Sequence, residues 1–208
     1  MNIIAHRGYW LEESEKNSLK AIEKAFKNGY GIETDIRDYK GELVISHNIA
    51  DDSCPKLKEV FDIYKSFDSN TPLALNVKAD GIQDLLEKQL KEYEIKNYFM
   101  FDMSIPEMVV YNDRNFKFFT RNSDIEKECV LYEKACGVWV DAFYNDWDIE
   151  TAIKTHLKNS KKVSLISPEI HKKEKDEVWK MLQKTGISNE ERFYLCTDLP
   201  KEAEDFLN

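Results

Sequence analysis

The chain has 208 residues and a formal net charge of −9, with 42% hydrophobic and 33% charged residues. This balance is typical of a globular protein, and the length suffices for one well-filled core, so we expect a single domain over residues 1–208. The negative charge argues against nucleic acid as the main partner, because binding to phosphate backbones needs a basic surface. The negative net charge is compatible with a small phosphate ligand, since such a ligand needs only a few local cations.

Short β-rich segments alternate with amphipathic helical segments along the whole sequence, and their periodicities predict eight such pairs. The predicted strands cover residues 2–6, 31–37, 72–78, 98–102, 117–121, 137–143, 162–167 and 192–197. The predicted helices cover residues 16–29, 56–67, 81–94, 104–113, 123–135, 148–158, 173–185 and 200–207. A further short strand at 43–47 follows the turn at Lys40-Gly41 and is expected to form a hairpin with the second strand.

The alternation of strands and helices predicts an α/β fold with a parallel sheet and right-handed crossovers. Eight βα units fit a single (β/α)₈ TIM barrel, and 208 residues lies at the small end of that fold's size range. An open doubly wound sheet is the alternative, but it predicts a GxGxxG first turn. Gly8 alone follows the first strand. We therefore predict a barrel with a small hairpin after strand two.

Polar residues follow or end every predicted strand, whereas the first halves of the strands are apolar. Barrel enzymes carry their active sites at these C-terminal ends. The polar ends are His6-Arg7, Glu33-Thr34-Asp35, Asn76-Val77-Lys78, Asp102, Thr120-Arg121, Asp141, residues 167–169 and Thr197-Asp198. This gradient predicts that GIETDIRD (31–38) faces a shared site rather than open water.

A candidate metal site lies on the second and third predicted strands. Glu33 and Asp35 are two residues apart, so they point to the same side of their strand. Asn76 adds a neutral oxygen donor on the third strand. Two carboxylates with a neutral oxygen suit a hard cation such as Mg²⁺ or Ca²⁺.

Candidate phosphate-binding and proton-transfer groups accompany this set. Arg7 and Lys78 are cations of the kind that bind phosphate. His6 and His47 suit a base and an acid across a scissile P–O bond.

Residues of the later strands are also candidates for the substrate pocket. Arg121, Asp141 and Trp139 lie near the predicted mouth, although Arg121 could instead contact an acidic neighbour and Trp139 could belong to the core. His156 and His171 lie in or beside polar, Lys-rich segments, and we expect both at the surface.

The run AHRG, NSLKAI, GIETDIRDYKGELVISHN and LNVK resembles the glycerophosphodiester phosphodiesterase family. That family's pattern has HRG, an ENT-like helix start, ExD, a short turn, His, and later ExK on the third strand. The resemblance is strongest over residues 3–78 and continues more weakly through FFTR, GVWVDAF, ISPEI and CTDLP. HRG alone is a weak signal, but HRG followed at this spacing by ExD and His is a strong one.

The resemblance implies a TIM-type barrel that uses a divalent metal, Mg²⁺ or Ca²⁺, to hydrolyse a phosphodiester, above all a glycerophosphodiester, to a phosphomonoester and an alcohol. It implies that His6 and His47 are the catalytic pair and that Glu33 and Asp35 are metal ligands. It also implies that Arg7 and Lys78 are cations that contact the phosphate.

Three features depart from the family pattern. Asn76 stands where the family has a third metal carboxylate; its carbonyl can still coordinate a cation, with one negative charge fewer. We therefore expect weaker metal binding, or a site that gains a ligand from the substrate. Lys16 replaces the Glu of the ENT-like start, and Glu15 beside it could compensate. The segment between His47 and strand three is short, which predicts a reduced cap insertion and a site open on that side.

Two alternative functions remain open. One is a metal-independent phospholipase C-like lyase that makes a cyclic phosphate, but Glu33 and Asp35 would then repel the phosphodiester. The other is a degenerate barrel that binds a phosphorylated ligand without turnover, which Asn76 and Lys16 would permit.

The cysteines and the start of the chain predict a cytoplasmic protein. Four cysteines show neither a CxxC pair nor zinc spacing and are expected to be reduced thiols. We expect no signal peptide and no membrane span, because no apolar run approaches about 20 residues. The expected partner is a small-molecule phosphodiester, and the sequence specifies no oligomeric state.

Overall fold

The computed structural model describes residues 2–67, 70–144 and 147–207. Within these residues it contains nine strands and seven α-helices. The strands are β1 (Asn2–His6), β2 (Gly31–Tyr39), β3 (Glu42–Ile45), β4 (Leu73–Val77), β5 (Tyr98–Phe101), β6 (Phe119–Asn122), β7 (Gly137–Val140), β8 (Lys162–Ile166) and β9 (Phe193–Thr197). The helices are α1 (Leu19–Lys27), α2 (Leu57–Ser66), α3 (Gln83–Glu92), α4 (Ile105–Asp113), α5 (Ile149–Lys158), α6 (Asp176–Thr185) and α7 (Pro200–Leu207).

The strand order and the helices between the strands are those of a (β/α)₈ barrel, which confirms the predicted fold class. The sheet runs β5-β4-β2-β1-β9-β8-β7-β6, and β3 pairs with β2 outside this path. The pairs β2–β4, β4–β5, β6–β7, β7–β8 and β8–β9 are all parallel.

The predicted hairpin on the second strand is confirmed. β2 and β3 pair antiparallel, with Ile36 opposite Ile45. Lys40 and Gly41 both have positive φ, 49° and 79°, as a two-residue hairpin turn of the primed type requires. Among the described residues between β3 and β4, α2 is the one helix, in agreement with a reduced cap.

The contacts divide the chain into two compact units. One unit spans Ala5–Lys117 and holds the end of β1, strands β2 to β5 and helices α1 to α4. The other joins the start of β1 to the chain from Phe118 onward. A single domain over residues 1–208 stays a prediction.

The core follows the predicted polarity gradient. Apolar side chains fill the first halves of the strands, as Ile4, Ile32 and Leu73 do with no exposed surface. Buried polar residues on or directly after the strands include Glu33, Asp35, Asn76, Asn122, Asp141, Ser167 and Thr197. No helix among the described residues is long and apolar enough to cross a membrane. All four cysteines are free thiols.

The predicted helix over residues 123–135 is wrong, since this segment consists of bends and turns. The side chain of Asn122 donates to the carbonyls of Glu126 and Lys127, and Ser123 Oγ accepts from Glu126 N. Leu131 has a φ of 51°, outside the helical region. These side-chain contacts replace the backbone bonds that a helix would form.

Helix α1 begins three residues later than predicted. Asn17 has a φ of 62° and cannot belong to a right-handed helix. Ser18 then caps the helix, its hydroxyl accepting a hydrogen bond from Ala21 N at 3.2 Å.

Candidate active site

The turn after β1 carries His6 and Arg7. Arg7 and Gly8 have φ values of 57° and 87°, and Arg7 N donates to Glu33 O at 3.0 Å, which ties the turn to β2. A Cβ on Gly8 would lie 2.8 Å from the carbonyl carbon of Ala21, so only glycine fits against α1 here. The HRG sequence therefore fixes the backbone of the turn that carries the side chains of His6 and Arg7.

Glu33 is a buried carboxylate that is only half satisfied by hydrogen bonds. It is 2% exposed, and its Oε1 accepts from Asn76 Nδ2 at 3.3 Å. Its Oε2 has no hydrogen-bond partner and lies 3.8 Å from His6 Nε2. Burial raises the pKa of Glu33, and the charge of Asp35 raises it further. The basic side chains around it, led by His6, oppose that rise.

Asp35 lies between two cations and an amide. Arg7 Nε is 3.2 Å from its Oδ2, without the angle of a hydrogen bond, and Lys78 Nζ is 3.5 Å from its Oδ1. Asn17 Nδ2 donates to Oδ2 at 2.8 Å, while Thr34 Oγ1 donates to Asn17 Oδ1 at the same distance. Asn17 thus positions Asp35, a role that the sequence analysis missed although Asn17 belongs to the quoted NSLKAI segment.

Asn76 links two carboxylates at the ends of neighbouring strands. It pairs with Asp35 across β2 and β4. Its Nδ2 donates to Glu33 Oε1 and also to Asp102 Oδ2, the latter at 3.1 Å. Asp102, which follows β5 with a φ of 63°, also lies 3.9 Å from Lys78 Nζ. The sequence analysis identified Asp102 as a strand-end residue but assigned it no role in the site.

Three buried oxygens of this cluster accept no hydrogen bond, and they are Glu33 Oε2, Asp35 Oδ1 and Asn76 Oδ1. They belong to the three predicted metal ligands. Unsatisfied buried oxygens are costly, and oxygen donors of this kind suit a hard divalent cation. The donor set therefore fits Mg²⁺ or Ca²⁺. Across the described part of the chain, no three His, Cys, Asp or Glu side chains form a metal-holding group, so an ion at this cluster would depend on the Asn76 amide.

The segment that carries His47 is held beside β2 by a backbone bond of its neighbour Ser46 and by the side chain of Arg37. Ser46 N donates to Asp35 O at 3.0 Å, and Arg37 Nη2 donates to His47 O at 3.2 Å. The imidazole itself is exposed, with Nδ1 3.0 Å from Asn48 Oδ1. The structure thus links His6, Arg7, Glu33, Asp35, Asn76 and Lys78 through side-chain contacts, and it joins His47 to them through the backbone.

Arg121 and Asp141, in the unit that starts at Phe118, contact each other. Arg121 Nη1 donates to Asp141 Oδ2 at 3.3 Å, and Arg121 Nε lies 3.1 Å from Glu126 Oε2. Burial lowers the pKa of Arg121, while the two carboxylates oppose that shift. His171 Nε2 is 2.7 Å from Asp141 Oδ1. Trp139 is 4% exposed within β7. For Arg121, Asp141 and Trp139, contact with substrate stays a prediction.

The expectation that His156 lies at the surface is wrong. It is 8% exposed, with Nε2 3.0 Å from Asn122 Oδ1 and Nδ1 3.0 Å from Tyr132 OH. His171 is half-buried rather than fully solvated, because it packs beside Phe143 and pairs with Asp141. The Lys-rich sequences around both histidines gave no signal of these contacts.

Solved structures share this fold along the whole chain. A glycerophosphodiester phosphodiesterase from Parabacteroides distasonis has 18% identity and a TM-score of 0.71, over 99% of this chain and 96% of that one. One from Agrobacterium tumefaciens has 13% identity and a TM-score of 0.73, over 99% and 98%. An Oleispira antarctica phosphodiesterase, in complex with the product sn-glycerol-3-phosphate, has 14% identity and a TM-score of 0.72, over 100% and 96%.

No family model and no curated protein matches the sequence. At these identities, the structural likeness establishes the shared fold. It also supports the resemblance to the glycerophosphodiester phosphodiesterases that HRG, ExD and the later histidine indicate.

Proposed function

We propose that this protein is a metal-dependent phosphodiesterase that hydrolyses a glycerophosphodiester to a phosphomonoester and an alcohol. The observation that carries the proposal is the set of three buried oxygens on Glu33, Asp35 and Asn76 that accept no hydrogen bond. A merely structural polar cluster would satisfy these atoms with hydrogen bonds. The fold supports the proposal, since the similar structures are phosphodiesterases and one of them holds sn-glycerol-3-phosphate as its product.

Glu33, Asp35 and Asn76 would hold the cation through these oxygens. When bound, a divalent cation supplies a Lewis acid for the phosphoryl oxygen. The amide donor brings no charge, so the set has one negative charge fewer than three carboxylates would have.

Arg7 and Lys78 bind the phosphate in this proposal. Both cations lie within 3.5 Å of Asp35 oxygens, which hold them beside the candidate metal ligands. The guanidinium of Arg7 can donate two hydrogen bonds to phosphate oxygens, and Lys78 adds a compact positive charge. Together they offset the negative charge that develops as the P–O bond breaks.

His6 and His47 divide the two proton transfers. One imidazole accepts the proton of the attacking hydroxyl while the new O–P bond forms. The other imidazole donates a proton to the departing alkoxide oxygen, so that the leaving group departs as a neutral alcohol. When the attacking hydroxyl is that of water, the phosphomonoester forms directly. When it is a hydroxyl on the substrate carbon next to the ester, a cyclic phosphate forms, and attack by water then breaks one of its P–O bonds to give the phosphomonoester.

The proposal is tested by ³¹P NMR of glycerophosphodiesters incubated with the protein in Mg²⁺, in Ca²⁺ and in chelator. We expect glycerol phosphate, or a cyclic phosphate before it, only in the metal samples. His6→Ala and His47→Ala should each lower turnover by about 100-fold or more while the thermal midpoint stays near that of the wild type.

Other outcomes would contradict the proposal. Turnover in chelator equal to that in metal would favour the lyase. Tight binding of glycerophosphodiesters that survive unchanged would favour a binding protein. Full activity of both histidine variants would remove the catalytic assignment.

A further inference from the structure

We propose that Asp102 is a positioning residue that fixes the amide of Asn76, so that Asn76 presents its carbonyl oxygen to the cation. This inference rests on the proposed function and deepens it, since it concerns how a chain with an amide at position 76 can still bind metal.

The contacts of Asn76 define the orientation of its amide. Asn76 is 7% exposed, and its Nδ2 donates to Glu33 Oε1 at 3.3 Å and to Asp102 Oδ2 at 3.1 Å. Turned over, the amide would place its oxygen against two carboxylates, neither of which can donate a hydrogen bond when ionised. The two carboxylates therefore direct Nδ2 to their side and leave Oδ1 as the unpartnered oxygen.

Asp102 is the partner that can keep this contact while a cation is bound. Glu33 is itself a candidate ligand through Oε2, so its carboxylate moves with the cation, and its contact with Asn76 Nδ2 is the longer of the two. Asp102 stands one strand further along the sheet, directly after β5, and is not one of the three predicted metal ligands. Its carboxylate also lies 3.9 Å from Lys78 Nζ, a cation that helps to hold it in place.

Asn76 needs a residue that orients its side chain because it carries an amide instead of a carboxylate. A carboxylate has two equivalent oxygens and binds a cation in either orientation, whereas an amide binds through one end only. An amide that rotates freely would present its NH₂ group to the cation for part of the time. Residues that orient metal ligands in this way typically change metal affinity by about 10–100-fold when replaced.

The backbone at Asp102 allows a clean truncation. Its φ of 63° lies in the left-handed region, which Gly and Asn tolerate better than other residues. Asp102→Gly removes the carboxylate without backbone strain, and Asp102→Ala repeats the truncation if glycine loosens the turn. Asp102→Asn keeps a carbonyl oxygen that can accept from Asn76 Nδ2 while it removes the charge.

The test is the affinity of the purified full-length chain for Mn²⁺, measured from the electron paramagnetic resonance signal of the free ion. We expect Asp102→Gly to bind Mn²⁺ about 10-fold or more weakly. Asp102→Asn should stay within about threefold of the wild type, because orientation is retained. In an Asn76→Asp background, Asp102→Gly should change the affinity by less than about threefold, because a carboxylate needs no orientation.

Glu94→Gly provides a matched control. Glu94 is exposed and has a φ of 50°, so the variant loses the same charge at the same kind of backbone position, outside the candidate site. It should bind Mn²⁺ as the wild type does.

Four results would overturn the inference, and only the first of them would also overturn the proposed function. A wild type that binds no Mn²⁺ overturns the metal-dependent function, and the inference with it. A wild type that binds Mn²⁺ no more tightly than Asp102→Gly overturns the inference alone. If Asp102→Asn binds as weakly as Asp102→Gly, or if the loss persists in Asn76→Asp, charge rather than orientation is responsible and the inference is wrong.

Discussion

Both compact units carry carboxylates on or just after their strands, but the hydrogen bonding of these carboxylates differs between the units. In the unit of Ala5–Lys117, Glu33 and Asp35 each keep one oxygen without a hydrogen-bond partner. In the unit that starts at Phe118, Asp141 accepts from His171, Arg121 and the Ala142 amide. Both oxygens of Glu169 are likewise satisfied, by the groups Ser167 Oγ, Thr197 Oγ1 and Asp198 N.

In the proposed function, the carboxylates with an unsatisfied oxygen hold the cation, whereas the satisfied carboxylates support the fold. A buried acceptor without a partner costs about 1–3 kcal/mol, whereas a satisfied one contributes to stability. A buried carboxylate can therefore lower or raise the stability of the fold, depending on its hydrogen bonds. Hydrogen-bond satisfaction, rather than burial or position, distinguishes the two.

Glu33→Gln should give the largest change. Loss of this carboxylate should weaken Mg²⁺ or Mn²⁺ binding by about 100-fold or more, because the cation loses a charged ligand worth several kcal/mol. In chelator, however, the variant should be more stable than the wild type by about 1 kcal/mol, since a buried, half-satisfied charge is removed. Metal titration and urea unfolding in chelator measure the two effects.

Saturating metal should reverse the order of stability. The cation binds the folded wild type and raises its free energy of unfolding, but it scarcely affects the variant. A Glu33→Gln protein that is less stable than the wild type in chelator would show that Glu33 supports the fold, and the comparison between the units would then fail.

Asp141→Asn should lower the stability of the fold, in contrast to Glu33→Gln in chelator. The amide would turn an NH₂ group toward donors that now contact a carboxylate, and Arg121 would lose a buried partner. We expect the free energy of unfolding to fall by about 2–3 kcal/mol, measured by urea denaturation. An unchanged value would mean that Asp141 is free for a ligand, which would favour its predicted contact with substrate.

The fold was predictable because most of its elements follow from local pattern. The hairpin is an example, since Lys40-Gly41 between two alternating runs specifies its turn. The helix predicted over 123–135 failed for a reason that periodicity does not show. There, Asn122 and Ser123 bond the backbone of the same segment and keep it from forming a helix.

The candidate site was predictable where a strand carries its own spacing signal or where the family pattern names the residue. Glu33 and Asp35 share a face by parity, and both are buried in the structure. Asp102 was not assigned, because its partner Asn76 lies 26 residues earlier in the chain and only strand pairing brings them together. His171 was missed for the same reason, since Asp141 lies 30 residues before it.

The smallest predicted effect concerns His156, whose two ring nitrogens both have hydrogen-bond partners in the unit that starts at Phe118. Asn122 Oδ1 can only accept, so Nε2 carries the proton and Nδ1 accepts from Tyr132 OH; the ring is neutral when folded. Burial lowers its pKa below the usual value near 6.5. The folded chain then binds fewer protons than the unfolded chain, and stability falls as the pH drops through about 6.5 toward the lowered value.

Between pH 7.5 and 5.5, the wild type should lose about 1 kcal/mol more than His156→Gln, as measured by urea unfolding at both pH values. The other three histidines are present in both proteins, so the difference between them isolates His156. Equal losses would mean that the folded protein accommodates a charged His156. Because both ring nitrogens of His156 have hydrogen-bond partners, the difference between the wild type and His156→Gln should be the same in chelator and in saturating Mg²⁺. The stability effect of Glu33→Gln, in contrast, should change with the metal.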